Sequence, residues 1–471
     1  MQLTIQAICE ATSGVFAGSL DNQISVNGVS TDSRGDVKGR LFIPIAGPTF
    51  DGHNYIQGAF LNGAVCALTE KDLQIEGYPL IKVASTRQAL IDLAVYDRSC
   101  FTGPVVAITG SAGKTTTKEM IASVLSQKYV TLKTLGNYNN DIGLPLTLLA
   151  REGDHEAMVL EMGMNHLGEI SVLSKIGKPD ICLITNIGDA HIENLGSREG
   201  ILKAKSEIFE GMRQGGTVIL NGDDPLLIGL PKIPHAGRTV YCFKSEEKDI
   251  GQYDAKKGNW ISASNIRHQG LQGTSCTISW QMEGLAEYPA GKVQIQIPLP
   301  GDHMVMNALM SLAVGLELGL PPSEIAAGIK VFTPVGHRMA ITQANGMTIV
   351  NDVYNASTSS MKASIDMMAD SLKESNQRKV CIFGDMLELG EYAEAMHKEV
   401  GEYAAVKKMD LLIAIGPLSR YMQQGFNGNA VHFQSKEDFI MEWQNHLKPG
   451  DAVLIKASRG MALESVVEAI L

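Results

Sequence analysis

A glycine-rich loop between a predicted strand and a predicted helix is the feature that most constrains this chain. The loop lies in AITGSAGKTTTK, residues 107–118. The β-branched run at 105–108 favours a buried strand, and the residues from Lys114 onward favour a helix. Two glycines at the corner allow a tight turn whose backbone N–H groups meet phosphate oxygens where the helix begins. The segment therefore predicts a nucleotide triphosphate site in an α/β fold.

The loop residues divide the work of binding a nucleotide. Lys114 is expected to neutralise the outer phosphates, and the Thr115 hydroxyl is expected to ligate Mg²⁺. The spacing G-x-x-G-K-T is shorter than the usual G-x-x-x-x-G-K, so a loop without a nucleotide is the alternative. The predicted nucleotide contacts in the loop are Gly110, Ser111, Ala112, Gly113, Lys114, Thr115 and Thr116.

Length and charge restrict the class of protein. A chain of 471 residues is too long for one core, and about three domains are expected. Its formal charge of −11 opposes non-specific attraction to nucleic acids or anionic membranes. Anionic substrates must therefore be met by local positive groups. We expect no nucleic-acid partner.

The cysteines and the hydropathy predict a location. Seven cysteines are scattered along the chain and none has C-x-x-C spacing, which is typical of reduced thiols. The N-terminal segment lacks a basic region, and no apolar run approaches the roughly 20 residues of a membrane span. We therefore expect a cytoplasmic protein without membrane insertion.

Apolar segments alternate with helical segments over most of the chain, which predicts an α/β fold with mainly parallel sheets. In the central part these segments are AMVLEMG, DICLITNIG and GTVILNGDD. Alternating residues in 241–300 predict antiparallel strands that flank the main sheet. A third α/β unit begins after the Pro/Gly-containing segment that precedes Arg338. Helices are expected over residues 86–98, 303–318 and 461–470.

Polar residues follow the strands of the central unit. Glu161 ends one strand and His191 lies just past another, so both are expected at the sheet edge that carries the phosphate loop. Together they suit Mg²⁺, although a helix cap and an ordinary polar histidine are the alternatives. Lys203 and Lys205 lie on a predicted helix, where a lysine pair is usually a solvated face. An amide-rich turn precedes another helix, and its residues are expected either to cap that helix or to contact substrate. They are Asn137, Asn139 and Asn140.

Several motifs along nearly the whole chain resemble those of the bacterial Mur ligases of peptidoglycan synthesis. They are TGSAGKTTTKEM, NNDIGLPLTLL, NIGDAHIENLGSREGILKAKSEIF, YNAS with the following SMKASI, GDMLELGE and LIKASRGMALE. The last three resemble the family member that adds a dipeptide more than its sister ligases. Three positions depart from the usual pattern. Y-N-A-N-P appears as YNAST, K-G-S-R as KASR, and the linker reads VGHR.

The resemblance implies three domains and an ATP-dependent amide-bond-forming ligase. Residues 1–98 would bind a UDP sugar, 99–322 would bind ATP, and 323–471 would form a Rossmann-like domain that binds D-alanyl-D-alanine. The carboxylate of UDP-N-acetylmuramoyl-tripeptide would attack the γ-phosphate of ATP, and the dipeptide amine would displace phosphate from the acyl phosphate. Several anionic groups meet in the first step, so metal ions and fixed positive charges are needed. The implied protein is a monomer, and the third residue of its tripeptide is lysine or diaminopimelate.

The family pattern also implies roles for individual residues. The catalytic set is Lys114, Asn140, His191, Lys205 and Arg338, and the nucleotide contacts beyond the loop are Asn307, Arg338 and Asp352. Two Mg²⁺ sites are implied, with Thr115 and Glu161 at the first and His191 and Lys205 at the second. Lys205 is expected to be carbamylated, because that modification turns a cation into a carboxylate able to bind metal. Lys203 is the alternative position.

The remaining implied residues belong to the two substrates that are joined. The UDP-sugar residues are Ser30, Thr31, Asp32, Ser33, Gly47, Asp51 and His53, for which ordinary turn chemistry is the alternative. The dipeptide residues are Asn355, Lys456, Ser458 and Arg459. An arginine suits the dipeptide carboxylate because it binds such groups bidentately.

Three other functions fit parts of the sequence. A sister ligase that adds one amino acid and a folylpolyglutamate synthetase share the ATP chemistry, but GDMLELGE argues against both. A diaminopimelate-adding enzyme would carry a D-N-P-R type motif, which the chain lacks. A nucleotide-driven switch would need functional residues only around the phosphate loop. Candidate polar groups occur in all three predicted domains, which favours a ligase with two substrates.

Overall fold

Three sheets of five, nine and six strands follow one another along the chain, as the α/β prediction requires, and two short strands near residues 3 and 26 form a separate antiparallel pair. The computed structural model describes residues 3–17, 25–73, 78–244 and 258–471. We call the segments that carry the three sheets the first, central and third units. Within the described residues, no helix combines the length and the apolar character needed to cross a membrane.

The first unit contains a small sheet and three helices. Its strands are β1 (Leu3–Thr4), β2 (Val15–Ala17), β3 (Ser25–Val26), β4 (Val29–Ser30), β5 (Leu41–Phe42), β6 (Cys66–Thr69) and β7 (Leu80–Lys82). Its helices are α1 (Ile5–Thr12), α2 (Ile56–Leu61) and α3 (Thr86–Ser99), with a 3-10 turn at Gly52–Tyr55. The strand order is β2-β7-β6-β5-β4, in which only the β2–β7 pair is antiparallel. The predicted helix over 86–98 is confirmed.

The central unit is built on a sheet of nine strands. These are β8 (Val105–Thr109), β9 (Thr131–Lys133), β10 (Ala157–Glu161), β11 (Ile181–Ile184), β12 (Gly216–Asn221), β13 (Ala236–Phe243), β14 (Asn259–His268), β15 (Thr274–Gln281) and β16 (Ala290–Ile297). Its helices are α4 (Lys114–Leu125), α5 (Gly143–Leu149), α6 (Glu169–Gly177), α7 (Ile192–Leu195), α8 (Arg198–Ser206), α9 (Pro225–Ile228), α10 (Asp302–Glu317) and α11 (Pro322–Lys330), with a 3-10 turn at Glu207–Phe209. The strand order is β16-β15-β14-β13-β12-β11-β8-β10-β9.

The antiparallel region was predicted correctly in part. Strands β14, β15 and β16 pair antiparallel, but β14 pairs parallel with β13 and so continues the main sheet. Residues 245–257 of the predicted region lie outside the described residues. Alternating apolar and polar side chains indicate a strand with one buried face. Parallel and antiparallel strands can both have such a face, so the alternation does not fix the strand direction.

The third unit contains a sheet of six strands. These are β17 (Ala340–Ala344), β18 (Met347–Asn351), β19 (Lys379–Gly384), β20 (Leu411–Ile415), β21 (Ala430–Phe433) and β22 (Ala452–Lys456), in the order β17-β18-β22-β19-β20-β21. Only β17 is antiparallel to its neighbour. The helices are α12 (Thr358–Ser371), α13 (Ala393–Val406), α14 (Arg420–Gly425), α15 (Lys436–Glu442) and α16 (Glu464–Ile470), with 3-10 turns at Gly390–Tyr392, Trp443–Asn445 and Arg459–Met461.

The closing helix starts later than the sequence predicts. It begins at Glu464 rather than Met461, because the preceding 3-10 turn ends at Ala462 in a left-handed conformation with φ +48°. That conformation cannot continue a right-handed helix. The predicted helix over 303–318 is confirmed as α10.

A buried arginine joins the first unit to the central unit. Arg98 near the end of α3 donates hydrogen bonds to the carbonyls of Gly177, Lys178 and Phe101 at 2.6, 2.8 and 2.9 Å. The first two carbonyls lie at the end of α6, where a helix leaves its carbonyls without internal partners. Farther along, α11 packs against α4, and Ser123 Oγ donates to Gly328 O at 2.7 Å. The predicted domain boundaries at 98/99 and 322/323 stay predictions.

Candidate active site

The phosphate loop connects β8 to α4 as its sequence predicts. Gly110 has φ +152° and Gly113 has φ +79°, conformations that side chains rarely adopt. A Cβ added at Gly110 would lie 1.8 Å from Thr185 Oγ1, so the close approach of β11 to the loop also requires glycine there. Thr185 Oγ1 donates to Ala112 O at 2.6 Å, and Ala112 N donates to Asn186 Oδ1 at 2.9 Å. The end of β11 therefore holds the loop in shape.

Lys114 is the first residue of α4, and its side chain contacts the backbone of the phosphate loop. Its Nζ donates to Gly110 O at 2.7 Å. Burial lowers the pKa of Lys114, and the nearby charge of Arg338 lowers it further, while Glu161 acts in the opposite direction. A cation that is desolvated in this way gains strongly from an incoming phosphate.

Glu161 is a buried carboxylate beside the loop. It ends β10 and is only 2% exposed. Thr115 Oγ1 donates to its Oε2 at 2.8 Å, and Asn139 Nδ2 donates to its Oε1 at 2.9 Å. Lys118 Nζ lies 3.8 Å from the same Oε2. The predicted neighbours of the first metal site, Thr115 and Glu161, are therefore in direct contact.

The structure distinguishes the two lysines of α8. Lys205 is 2% exposed and lines the same cleft as Lys114, whereas Lys203 is exposed. Burial lowers the pKa of Lys205 well below its ordinary value, and the charge of Lys114 adds to this effect. An amine with a lowered pKa is unprotonated more often, and only the unprotonated amine attacks CO₂.

His191 connects the central unit to the third unit. It lies just before α7 with φ +66°, and its Nδ1 is 2.8 Å from Glu388 Oε2. The Nδ1 atom is buried, and the contact lacks the alignment of a hydrogen bond. His191 lowers the pKa of the Glu388 carboxyl. Glu388 belongs to GDMLELGE, so this motif reaches the active site of the central unit.

Residues from the third unit complete the cleft. Lys456 Nζ donates to Asp352 Oδ2 at 2.5 Å and to Asn355 O at 3.0 Å. Arg459 Nη1 donates to Glu464 Oε1 at 2.9 Å. The guanidinium carbon of Arg338 lies 3.6 Å from the ring centroid of Tyr354.

One cleft of about 630 Å³ brings together residues from the central and third units. It is large enough for the phosphates and part of a second substrate. Most of the predicted nucleotide, metal and dipeptide residues line it, namely Ser111, Ala112, Gly113, Lys114, Thr115, Thr116, Glu161, His191, Lys205, Asn307, Arg338, Asp352, Asn355, Lys456 and Arg459.

Three predicted residues near the cleft do not line it. Gly110 belongs to the phosphate loop and allows its turn, but it does not line the cleft. Asn140 Oδ1 accepts hydrogen bonds from Gly143 N and Ile142 N at 2.8 and 3.3 Å at the start of α5, and its catalytic role stays a prediction. Ser458 Oγ accepts from Leu387 N at 2.9 Å and so ties β22 to the GDMLELGE segment.

The predicted UDP-sugar residues lie in the first unit, away from this cleft. Ser30 ends β4, and Thr31, Asp32 and Ser33 follow it. Gly47, Asp51 and His53 follow the neighbouring parallel strand β5. His53 Nδ1 lies 2.7 Å from Asp51 Oδ1, and Lys71 Nζ lies 2.6 Å from Asp51 Oδ2. These contacts hold the pKa of the Asp51 carboxyl well below its usual range, with Lys71 contributing most. The two loops share one sheet edge.

Among the cleft residues, Tyr354 was not identified from the sequence as a candidate site residue. Asn139 contacts Glu161. His303 also lines the cleft, and burial lowers the pKa of His303 to about 4. The alternation of Asn residues in NYNN contains no signal that separates the capping amide from the amide facing the cleft.

The donor set fits one metal ion with ordinary side chains. A carboxylate and a threonine hydroxyl are hard oxygen ligands suited to Mg²⁺, and Glu161 and Thr115 already touch. Among the described residues, no three His, Cys, Asp or Glu side chains cluster closely enough to hold a metal. A second ion near His191 therefore needs a further oxygen ligand, which a carbamylated Lys205 would supply.

Comparisons with known proteins agree along the whole chain. Three family models match: the Mur ligase middle domain over residues 108–315, the Mur ligase glutamate ligase domain over 337–459, and the catalytic domain of the Mur ligase family over 25–99. The chain is 37% identical to the UDP-N-acetylmuramoyl-tripeptide--D-alanyl-D-alanine ligase of Bacillus subtilis (strain 168). That alignment covers 99% of this chain and 97% of the relative.

Solved structures resemble the whole architecture. A crystal structure of MurF from Acinetobacter baumannii matches with a TM-score of 0.87 and 30% identity, covering 100% of this chain and 99% of that one. The MurF ligase of Thermotoga maritima, solved in complex with ADP, matches with a TM-score of 0.78 and 27% identity, covering 94% and 97%.

Proposed function

Because this chain belongs to the Mur ligase family, we propose that it joins D-alanyl-D-alanine to UDP-N-acetylmuramoyl-tripeptide in an ATP-dependent reaction of peptidoglycan synthesis. The observation that carries the proposal is the shared cleft, in which the phosphate loop faces Lys456 and Arg459 of the third unit. A nucleotide-driven switch would need no such residues from a second unit. The bond formed is an amide between the tripeptide carboxylate and the dipeptide amine.

The loop and its neighbours are placed to bind ATP. Backbone N–H groups at the start of α4 and the Lys114 ammonium meet the phosphate oxygens. Arg338 adds a second positive charge to the cleft that Lys114 lines. The tripeptide carboxylate attacks the γ-phosphate and displaces ADP, which gives an acyl phosphate, and the dipeptide amine then displaces inorganic phosphate from it. The cations lower the repulsion between the carboxylate and the phosphate in the first step.

Metal ligands are the second part of the proposal. Thr115 and Glu161 would hold one Mg²⁺, and His191 with a carbamylated Lys205 would hold a second. When bound, the ions would neutralise charge on the transferring phosphoryl group. Burial beside Lys114 favours the neutral amine of Lys205, and Lys203 is too exposed to take this role.

The third unit is proposed to bind the acceptor. Lys456 and Arg459 both have an acidic partner, but the side chain of Arg459 is 64% exposed and that of Lys456 is 5% exposed. Arg459 is therefore the more accessible partner for the dipeptide carboxylate, and Asn355 lines the same cleft. The loops after β4 and β5 are proposed to bind the UDP sugar. A cytoplasmic location and a monomeric state stay predictions.

Phosphate release from ATP tests the function. The purified protein is assayed with UDP-N-acetylmuramoyl-tripeptide and D-alanyl-D-alanine together and with each omitted, and the product is weighed by mass spectrometry. Release that needs both substrates, with a UDP-muramoyl-pentapeptide product, is expected. Lys114→Ala should lower kcat by about 10³-fold or more because it removes a charge at the transferring phosphate. Lys128→Ala, an exposed lysine after the same helix, is the matched control. Release without either substrate would contradict the proposal.

A further inference from the structure

Tyr354 lies in the cleft within cation–π distance of two arginines. The guanidinium carbon of Arg338 is 3.6 Å from the ring centroid of Tyr354, and that of Arg459 is 5.2 Å from it. Arg338 lies before β17, Tyr354 follows β18, and Arg459 follows β22. One aromatic ring therefore contacts two arginines that are far apart in the sequence.

The two arginines differ in their other partners. Arg459 is also paired with Glu464. No carboxylate among the described residues lies within 4 Å of Arg338, and its guanidinium instead stacks on the face of the Tyr354 ring. A long arginine side chain has many rotamers, and stacking a planar guanidinium on a ring selects one of them.

We propose that Tyr354 is a positioning residue that holds Arg338 at the phosphate end of the cleft and Arg459 at the dipeptide end. The inference rests on the proposed ligase function and deepens it, because one side chain then aligns the ATP site with the acceptor site. Arg338 lines the same cleft as Lys114 and the rest of the phosphate loop, and this shared lining is the ground for assigning it to the phosphate end. Tyr354 itself does not touch the reacting atoms in this scheme.

The expected effects follow from the strength of cation–π contacts. Such contacts correspond to about 2- to 30-fold in binding, depending on how far they are desolvated. Tyr354→Leu should therefore raise KM for ATP and KM for D-alanyl-D-alanine by factors in this range. Tyr354→Phe keeps the ring and should stay within about twofold of the unmodified protein. KM for the UDP-muramoyl-tripeptide should not change. If Tyr354 were needed only for packing, its loss would affect all three KM values alike.

A double-mutant cycle tests the pairing directly. In an Arg338→Ala background, Tyr354→Leu should no longer change KM for ATP, because the side chain it positions is gone. Tyr421→Leu is the matched control, since Arg420 stacks on Tyr421 at 4.8 Å outside the cleft. Additive effects of Tyr354→Leu and Arg338→Ala on KM for ATP, or a Phe variant as impaired as the Leu variant, would overturn the inference.

Binding of Mg·ADP, measured by titration calorimetry on the same variants, gives a readout that needs no ligation. The same non-additivity between Tyr354→Leu and Arg338→Ala is expected in Kd, and its absence counts against the inference even if the protein forms no pentapeptide. Failure of the ligase assay with a coupled Kd would instead contradict the proposed function alone. If the Leu variant does not fold, Tyr354→Met removes the ring with a more flexible side chain and carries the same expectations.

Discussion

Replacing Lys205 by alanine tests whether this residue is a metal-binding carbamate or an ordinary buried lysine. Successive residues of a helix advance by about 100°, so Lys203 and Lys205 point about 200° apart. The structure accordingly buries Lys205 in the cleft and leaves Lys203 exposed. Lys203→Ala is therefore a matched control, because it removes the same type of side chain from the same helix at a position outside the cleft.

The magnitude follows from what the side chain would contribute. One preorganised electrostatic contact to a transition state is typically worth about 10²–10³ in kcat, or about 2.7–4 kcal/mol. Lys205 is 2% exposed, so little water is available to replace a lost ligand. We expect kcat of Lys205→Ala to fall by about 10²–10³-fold and kcat of Lys203→Ala to stay within about twofold of the unmodified protein.

The assay is the initial rate of phosphate release with saturating substrates, repeated with added formate, acetate or propionate. A short carboxylate can occupy the space left by Lys205 and supply the missing oxygen ligand, so partial recovery of kcat is expected. No recovery with any of the three would refute a carbamate at Lys205 even if activity is lost. If Lys203→Ala instead lost activity and recovered kcat with one of these carboxylates, the modification would be assigned to Lys203.

Three further predictions concern the loop, the pH dependence of stability and the contact between units. Gly110→Ala should lower the free energy of unfolding by about 1–3 kcal/mol in urea titrations, because its Cβ would lie 1.8 Å from Thr185 Oγ1; an unchanged midpoint would contradict the geometry. His303 has a folded-state pKa of about 4, below the ordinary value near 6.5, so the unfolded state binds more protons between these values. Stability from this residue is complete above pH 6.5 and decreases toward pH 4, by about 2 kcal/mol at pH 5, and His303→Gln should remove that part of the pH dependence of urea midpoints. Glu388→Ala should raise amide hydrogen exchange in residues 384–391, because it breaks the 2.8 Å contact with His191; since Glu388 is largely exposed, the free energy of unfolding should change by no more than about 1 kcal/mol.

The parts of the site that depend on local sequence were predicted well. The loop between β8 and α4 follows from a β-branched run, two glycines and a helix-forming segment. Glu161 and His191 follow from the rule that polar residues after parallel strands meet at one edge of the sheet. The burial of Lys205 rather than Lys203 needed the structure, because the phase of α8 against the sheet is a tertiary property.

Contacts between units were not predictable in the same way. Tyr354 meets Arg338 and Arg459 only because β18 and β22 are neighbours in the third sheet and the linker returns across their ends. Likewise, Asn139 and Asn140 are identical in type and adjacent in sequence, and only the turn between β9 and α5 decides which faces Glu161. A local pattern does not contain this information, because it depends on the direction of single side chains.

The distribution of charge connects the fold to the proposed chemistry. The chain carries a formal charge of −11, yet Lys114 and Arg338 share one cleft, and among the described residues no carboxylate lies within 4 Å of either. Lys456 and Arg459, in contrast, already have the acidic partners Asp352 and Glu464. Bringing unpaired cations together in a partly buried site costs stability, and an anionic ligand that binds there recovers it. The unpaired positive charge therefore lies beside the phosphate loop, where the proposed reaction brings a triphosphate and a carboxylate together, whereas the cations proposed to face the dipeptide are already paired.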